Sequence, residues 1–194
     1  MNQTTTDQSS IPPELKPLTL NLPAEQLNIF FPLLQKGITV PATVGCTLKS
    51  LLTDQFLIPA EYVTDRITTI FMDNHPVDDL DHTIIQNGSR VTLSAAMPGL
   101  VGATMRRGGF YAALRQGISH LLESDAKEDG CGTVRLKLFN LLLAEIGPLV
   151  LARGLILEKA ELDELLTALP PMPIDTPDGN GSVLLSITFM ERQQ

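Results

Sequence analysis

Tryptophan is absent from the 194 residues, and tyrosine and cysteine each occur only twice. Without aromatic side chains interleaved among basic ones there is no platform on which nucleic-acid bases could stack. The two cysteines, Cys46 and Cys131, belong to no CxxC pair, so neither a disulfide framework nor a zinc site is expected. Positive charge is scarce: 14 Lys and Arg stand against 22 Asp and Glu, a net charge of −8. That balance argues against a surface that tracks phosphates. It favours solubility and a basic or neutral protein partner. Uninterrupted apolar runs are missing as well. The most apolar stretch, 138–157, contains Glu145, Arg153, Gly147-Pro148 and Gly154, and reads as a buried helix pair rather than a membrane span. The opening MNQTTTDQSS has neither a positive segment nor an apolar run. No secretory signal is expected, and a cytoplasmic location is.

What is present suffices for a core: 43% of residues are hydrophobic and 19% charged. The length suits one large domain or two small ones. Residues 1–24 are rich in Thr, Ser, Gln and Pro and read as a lead-in, with a short strand at 18–22. Residues 27–34 (LNIFFPLL) read as a buried strand, Gly37 as a turn, and 38–43 (ITVPAT) as a second strand completing a hairpin. Thr47 is placed as the N-cap of a helix carrying Leu48, Leu51, Leu52 and Phe56 on one stripe, ended by Ile58-Pro59. Residues 66–72 (RITTIFM) alternate as a strand, and Asp73-Asn74 supplies a turn. Asn87-Gly88 is a hairpin signal leading into a strand at 90–96. Beyond this, 110–123 is helix-like, and 124–132 is a polar loop and candidate boundary. Strand and helix compete at 133–139. A helix restarts at Gly147-Pro148 and ends at Gly154, another spans 160–169, and 183–190 (VLLSITFM) is a last strand.

The order strand, strand, helix, strand, short return, strand within 27–101 is that of a ubiquitin-like β-grasp. The fold class expected is therefore α+β. A lead-in at 1–24 and a β-grasp domain at 25–105 would be followed by a smaller helical, α+β C-terminal region at 106–194, with the last strand at 183–190. With TLKSLL, ITTIFMDNHPV and IIQNGSRVTLSAAMPG in this order, the chain resembles the sulfur-carrier branch of ubiquitin-like proteins, the molybdopterin-synthase small subunit and the thiamine-biosynthesis carrier. The resemblance implies a diglycine end whose carboxylate is activated. Arg106-Arg107-Gly108-Gly109 resembles such an ending. Because it lies mid-chain, a carrier or modifier is implied only after cleavage behind Gly109. Fold resemblance alone also implies a third role, as an accessory subunit in molybdenum or tungsten cofactor chemistry.

Few residues carry chemistry of their own. Gly108 and Gly109 read first as a flexible joint. Asp73, Asp78, Asp79 and Asp81, with His75 and His82, match no metal-loop spacing and read as a solvated turn. Asp178-Gly179-Asn180-Gly181-Ser182 starts like a calcium loop without its later Glu and reads as a hairpin turn. Cys46, Cys131 and His120 have no placeable partner for nucleophile or base work. Arg106, Arg107 and Arg115 form a basic cluster that is either a docking spot or a solvated edge. No cofactor and no metal are expected. The leading expectation is a non-catalytic protein-binding protein. Its leucine-rich 138–169 stretch would either complete the core or form a homodimer interface.

Overall fold

The computed structural model describes residues 15–118, 130–174, 176–177 and 181–190. Alternating apolar segments form one sheet of eight strands. These are β1 (Lys16–Pro23), β2 (Ile38–Val44), β3 (Thr69–Met72), β4 (His75–Pro76), β5 (Arg90–Ser94), β6 (Gly130–Phe139), β7 (Leu155–Leu157) and β8 (Val183–Met190). They hydrogen-bond in the order β1-β8-β7-β2-β6-β5-β3-β4. The β1–β8 and β5–β6 pairs are parallel; the other pairs are antiparallel. Both edges are blunted. β4 has two residues, one of them Pro76, and β1 carries Pro17 and Pro23, which cannot donate to an added strand.

Burial follows the period of two that a pleated strand imposes. Leu18, Leu20 and Leu22 on β1 are buried, as are Ile38, Val40 and Ala42 on β2, Val134, Leu136 and Leu138 on β6, and Val183, Leu185 and Ile187 on β8. The alternate positions, such as Thr39, Thr92, Arg135, Lys137 and Ser186, are half-exposed. The sheet therefore has an inner and an outer face.

The inner face is covered by short helices: α1 (Phe31–Lys36), α2 (Leu48–Ser50, widened into a π turn over Leu51–Gln55), α5 (Leu142–Glu145), α6 (Gly147–Arg153) and α7 (Lys159–Ala168). Leu34, Leu48, Leu52, Leu142, Val150, Leu151 and Leu162 join the inner-face residues of the strands in one continuous core. Two further helices are α3 (Ala60–Asp65) and α4 (Gly99–Met105).

This architecture overturns the expected β-grasp domain with a separate C-terminal region. The pairing of β2 is the reason. Its neighbours are β6 and β7, both drawn from beyond residue 129, and no preceding strand forms a hairpin with it. Residues expected as that strand are instead a 3-10 turn (Ala24–Phe30) running into α1. Leu27, Phe30, Phe31 and Leu34 recur at helical spacing, and Pro32 sits in the first turn of α1, where its missing N–H loses no partner. The Asn87-Gly88 turn joins no hairpin either. The Gly88 N–H donates to the Thr133 carbonyl at 2.7 Å, and Asn87 Oδ1 accepts from the Thr133 N–H at 2.9 Å. The turn thus docks on β6.

Several local signals do act as expected. Thr47 caps α2, its side chain accepting from the Ser50 N–H. Asp73 and Asn74 turn with φ of 50° and 71°. Pro148 sits in the first turn of α6, and Gly154 ends that helix at φ 108°. Most leucines of the 138–169 stretch are buried within the chain's own core, with Leu141 and Leu149 the exposed exceptions.

Because β6 lies between β2 and β5, a fragment spanning 25–105 would leave both strands without their shared neighbour. Such a fragment is expected to show no dispersed amide spectrum and no cooperative melt. The full chain is expected to unfold in a single transition, followed by circular dichroism at two wavelengths.

Candidate functional site

The residues singled out around 106–115 lie on an arm built from α4, a diglycine turn and a 3-10 helix (Phe110–Ile118). Gly108 adopts φ +62°, a left-handed value suited to glycine, and the Gly109 N–H donates to the Arg106 carbonyl at 3.1 Å. The diglycine is thus held in a tight turn.

The three arginines do not form one basic patch. Arg115 points inward and is buried. Its guanidinium grips Asp78 bidentately, Nη1 to Oδ2 at 2.8 Å and Nη2 to Oδ1 at 2.7 Å, and its Nε donates to the Thr104 carbonyl at 2.7 Å. Planar guanidinium suits this two-point grip as lysine would not. Arg107 also turns inward, donating to the Val63 and Thr64 carbonyls at 2.7 and 3.2 Å, while its backbone N–H donates to the Thr68 carbonyl at 2.7 Å. Burial draws the Arg107 guanidinium below its usual value. Arg106 is exposed. Two of the three arginines therefore fasten the arm to α3 and to the loop after β4.

Between the arm, α3 and that loop lies a cleft of about 920 Å³, lined in part by Glu61, Asp65, Asp79 and Asp81. The loop acids stabilise the loop itself. Asp79 Oδ1 accepts from the backbone N–H groups of Asp81 and His82 at 3.0 and 3.1 Å. Its Oδ2 lies 2.9 Å from His82 Nδ1, and the His82 hydrogen bond holds the Asp79 carboxyl below its ordinary range. Asp81 pairs with Lys49 at 2.8 Å. Among the described residues, no group of three or more His, Cys, Asp or Glu is arranged to hold a metal ion. No helix of the described residues is long and apolar enough to cross a membrane.

Cys46 Sγ lies 3.2 Å from the Thr43 carbonyl and from Gln55 Nε2, while Cys131 is exposed on β6 opposite Thr43. His120, and residues 178–180 of the turn read beside a calcium loop, lie outside the described residues.

The outward side of the arm is the unexpected feature. Phe110 is 92% exposed, Leu114 75%, Leu100 72% and Val101 62%, and the Phe110 and Tyr111 rings meet edge to face with centroids 5.1 Å apart. Helical spacing in the sequence sets Phe110 and Leu114 on one stripe but does not decide whether it meets water, because exposure depends on what the arm packs against. The Leu100-Val101 pair was the available signal.

Elsewhere, Glu145 on α5 ties down α3. It accepts from Arg66 Nη2 at 2.6 Å and Nε at 3.2 Å, and from the Tyr62 hydroxyl. Burial, reinforced by this carboxylate, pushes the Tyr62 phenol up. The Arg66 and Tyr62 hydrogen bonds hold the Glu145 carboxyl below its ordinary value. No protein-family model, curated protein or solved structure matches the chain.

Two measurements follow from this geometry. Asp78→Ala removes the carboxylate gripped by the buried Arg115 guanidinium and is expected to destabilise the chain by about 1–3 kcal/mol. It should also make the arm a first site of limited proteolysis. Glu145, with its folded value depressed, contributes stability above the ordinary carboxylate range, and loses it as pH falls through the depressed value. Glu145→Gln should therefore lower the melting temperature at neutral pH, and the gap to the parent should narrow on acidification.

Proposed function

We propose that this chain is a non-catalytic protein-binding protein, and that it engages its partner through the arm. The observation that carries this reading is the exposure of Leu100, Val101, Phe110 and Leu114 on the arm, with the Tyr111 ring edge to face with Phe110. Large apolar side chains grouped at a surface are costly in water and mark interaction sites. The arm is held in that pose from beneath by the Arg115–Asp78 pair, which makes it a pre-organised contact with little to lose on binding. The acidic cleft beside it suits a partner whose apolar anchor is flanked by Lys or Arg.

This reading places the protein in the cytoplasm, a reducing compartment in keeping with its low cysteine content. A nucleic-acid partner is disfavoured by the net charge of −8. Release of a carrier tail behind Gly109 would require the pinned turn at Gly108-Gly109 to open, and no observation favours it.

Self-association through these exposed residues is the first outcome to separate. Size exclusion with light scattering at high micromolar concentration would show a dimer for the parent, and a monomer for Phe110→Asp and Leu114→Asp, if the arm pairs with itself. If it serves a different protein, the parent is monomeric, and affinity capture from cells returns a partner that both variants lose while keeping the parent's melting temperature. Unchanged capture by both variants would refute the reading.

A further inference from the structure

The outer face of the sheet carries a second cluster of charge. β5 and β6 run parallel, and their register sets Arg90 directly opposite Arg135, and Thr92 opposite Lys137. Alternation puts all four side chains on the outer face, since Val91, Leu93, Val134, Leu136 and Leu138 take the inner one. Arg135 and Lys137 both lean toward Gly37, the residue before β2. A Cβ built at Gly37 would stand 3.0 Å from Lys137 Cγ and 3.2 Å from Arg135 Nε, so both side chains lie over the same glycine.

Like charges directly opposite on paired strands repel. In a chain with 22 acidic residues against 14 basic ones, a compensating carboxylate was readily available. Among the described residues none is paired with two of the three cations. Arg90 reaches Asp73 at 3.5 Å with its side chain 57% exposed, while Arg135 and Lys137 form no ion pair with any described residue. Three cations on one face, two of them without an ion pair to any described residue, form a surface complementary to negative charge.

Spacing narrows the class of ligand. Arg135 and Lys137 are two residues apart on one strand, about 6.6 Å along the chain, and Arg90 lies about 4.8 Å across on the neighbouring strand. An extended peptide with carboxylates at alternate positions presents them on one side at the same interval. A polyanion such as RNA or DNA is a poorer match, because the net charge of −8 opposes its approach and three cations neutralise few phosphates. We propose that the outer sheet face at Arg90, Arg135 and Lys137 binds an acidic, extended segment of a partner protein. This is a second contact surface, separate from the apolar arm and independent of its role.

Fluorescence anisotropy on the full chain tests this, using a labelled peptide with Glu at alternate positions. Binding is expected to weaken as salt is raised. It should fall about fivefold in each of Arg135→Gln and Lys137→Gln, and more in the double variant. Arg135→Lys should retain most of it, and Lys159→Gln, on helix α7, all of it. Because these substitutions relieve repulsion, the melting temperature of Arg135→Gln should equal or exceed the parent's, which separates lost binding from lost folding. The proposal is overturned if the peptide does not bind at high micromolar concentration, or if Arg135→Gln and Lys137→Gln bind as the parent does. It is equally overturned if a single-stranded oligonucleotide of the same charge binds more tightly than the peptide.

Discussion

The structure hangs on the place of β6. Its buried residues Val134, Leu136 and Leu138 lie in the middle of the sheet, and its two edges pair in opposite senses, antiparallel to β2 and parallel to β5. A parallel neighbour cannot be reached by a tight turn, so the chain must travel between the end of β5 and the start of β6. The arm forms part of that route. Strand order, the division into two faces, and the existence of an excursion that projects apolar side chains outward therefore share one cause.

Local elements were far more legible than their assembly. Caps and breakers are short-range devices: the Thr47 hydroxyl, the positive-φ turn at Asp73-Asn74, and the Gly147-Pro148 start of α6 act within a few residues, and the sequence displays them directly. Pairing has no such marker. Ile38–Val44 alternates equally well beside a preceding strand or beside Gly130–Phe139, and only the burial of both faces' neighbours decides. The 27–34 segment misled for a related reason. A short apolar run with aromatic residues fits either a buried strand or a helix stripe, and Pro32 suits a helix start as readily as it disfavours a strand.

The same limit governs the candidate surfaces. Arg106, Arg107 and Arg115 are neighbours in sequence, yet two of them serve as internal fasteners. Arg90 is far in sequence from Arg135 and Lys137, yet strand register makes it their neighbour. A cluster assembled by strand pairing is invisible to any reading along the chain. The arm combines both lessons, since its inner side is fixed in part by an ion pair between residues 37 positions apart, and its Phe110 and Leu114 face water.

One consequence concerns the order of events as the polypeptide is made. Among the described strands β1 lies at the edge and pairs with β8 alone, and Asn21 meets Thr188 across a separation of 167 residues. During synthesis β1 must wait, with Leu18, Leu20 and Leu22 uncovered, until Val183–Met190 has left the ribosome. Such long-range closure slows folding and prolongs the exposure of apolar strand. Pro17 and Pro23, which bracket those leucines, then act as guards for a nascent chain, breaking the row of donors that would recruit another unfinished copy.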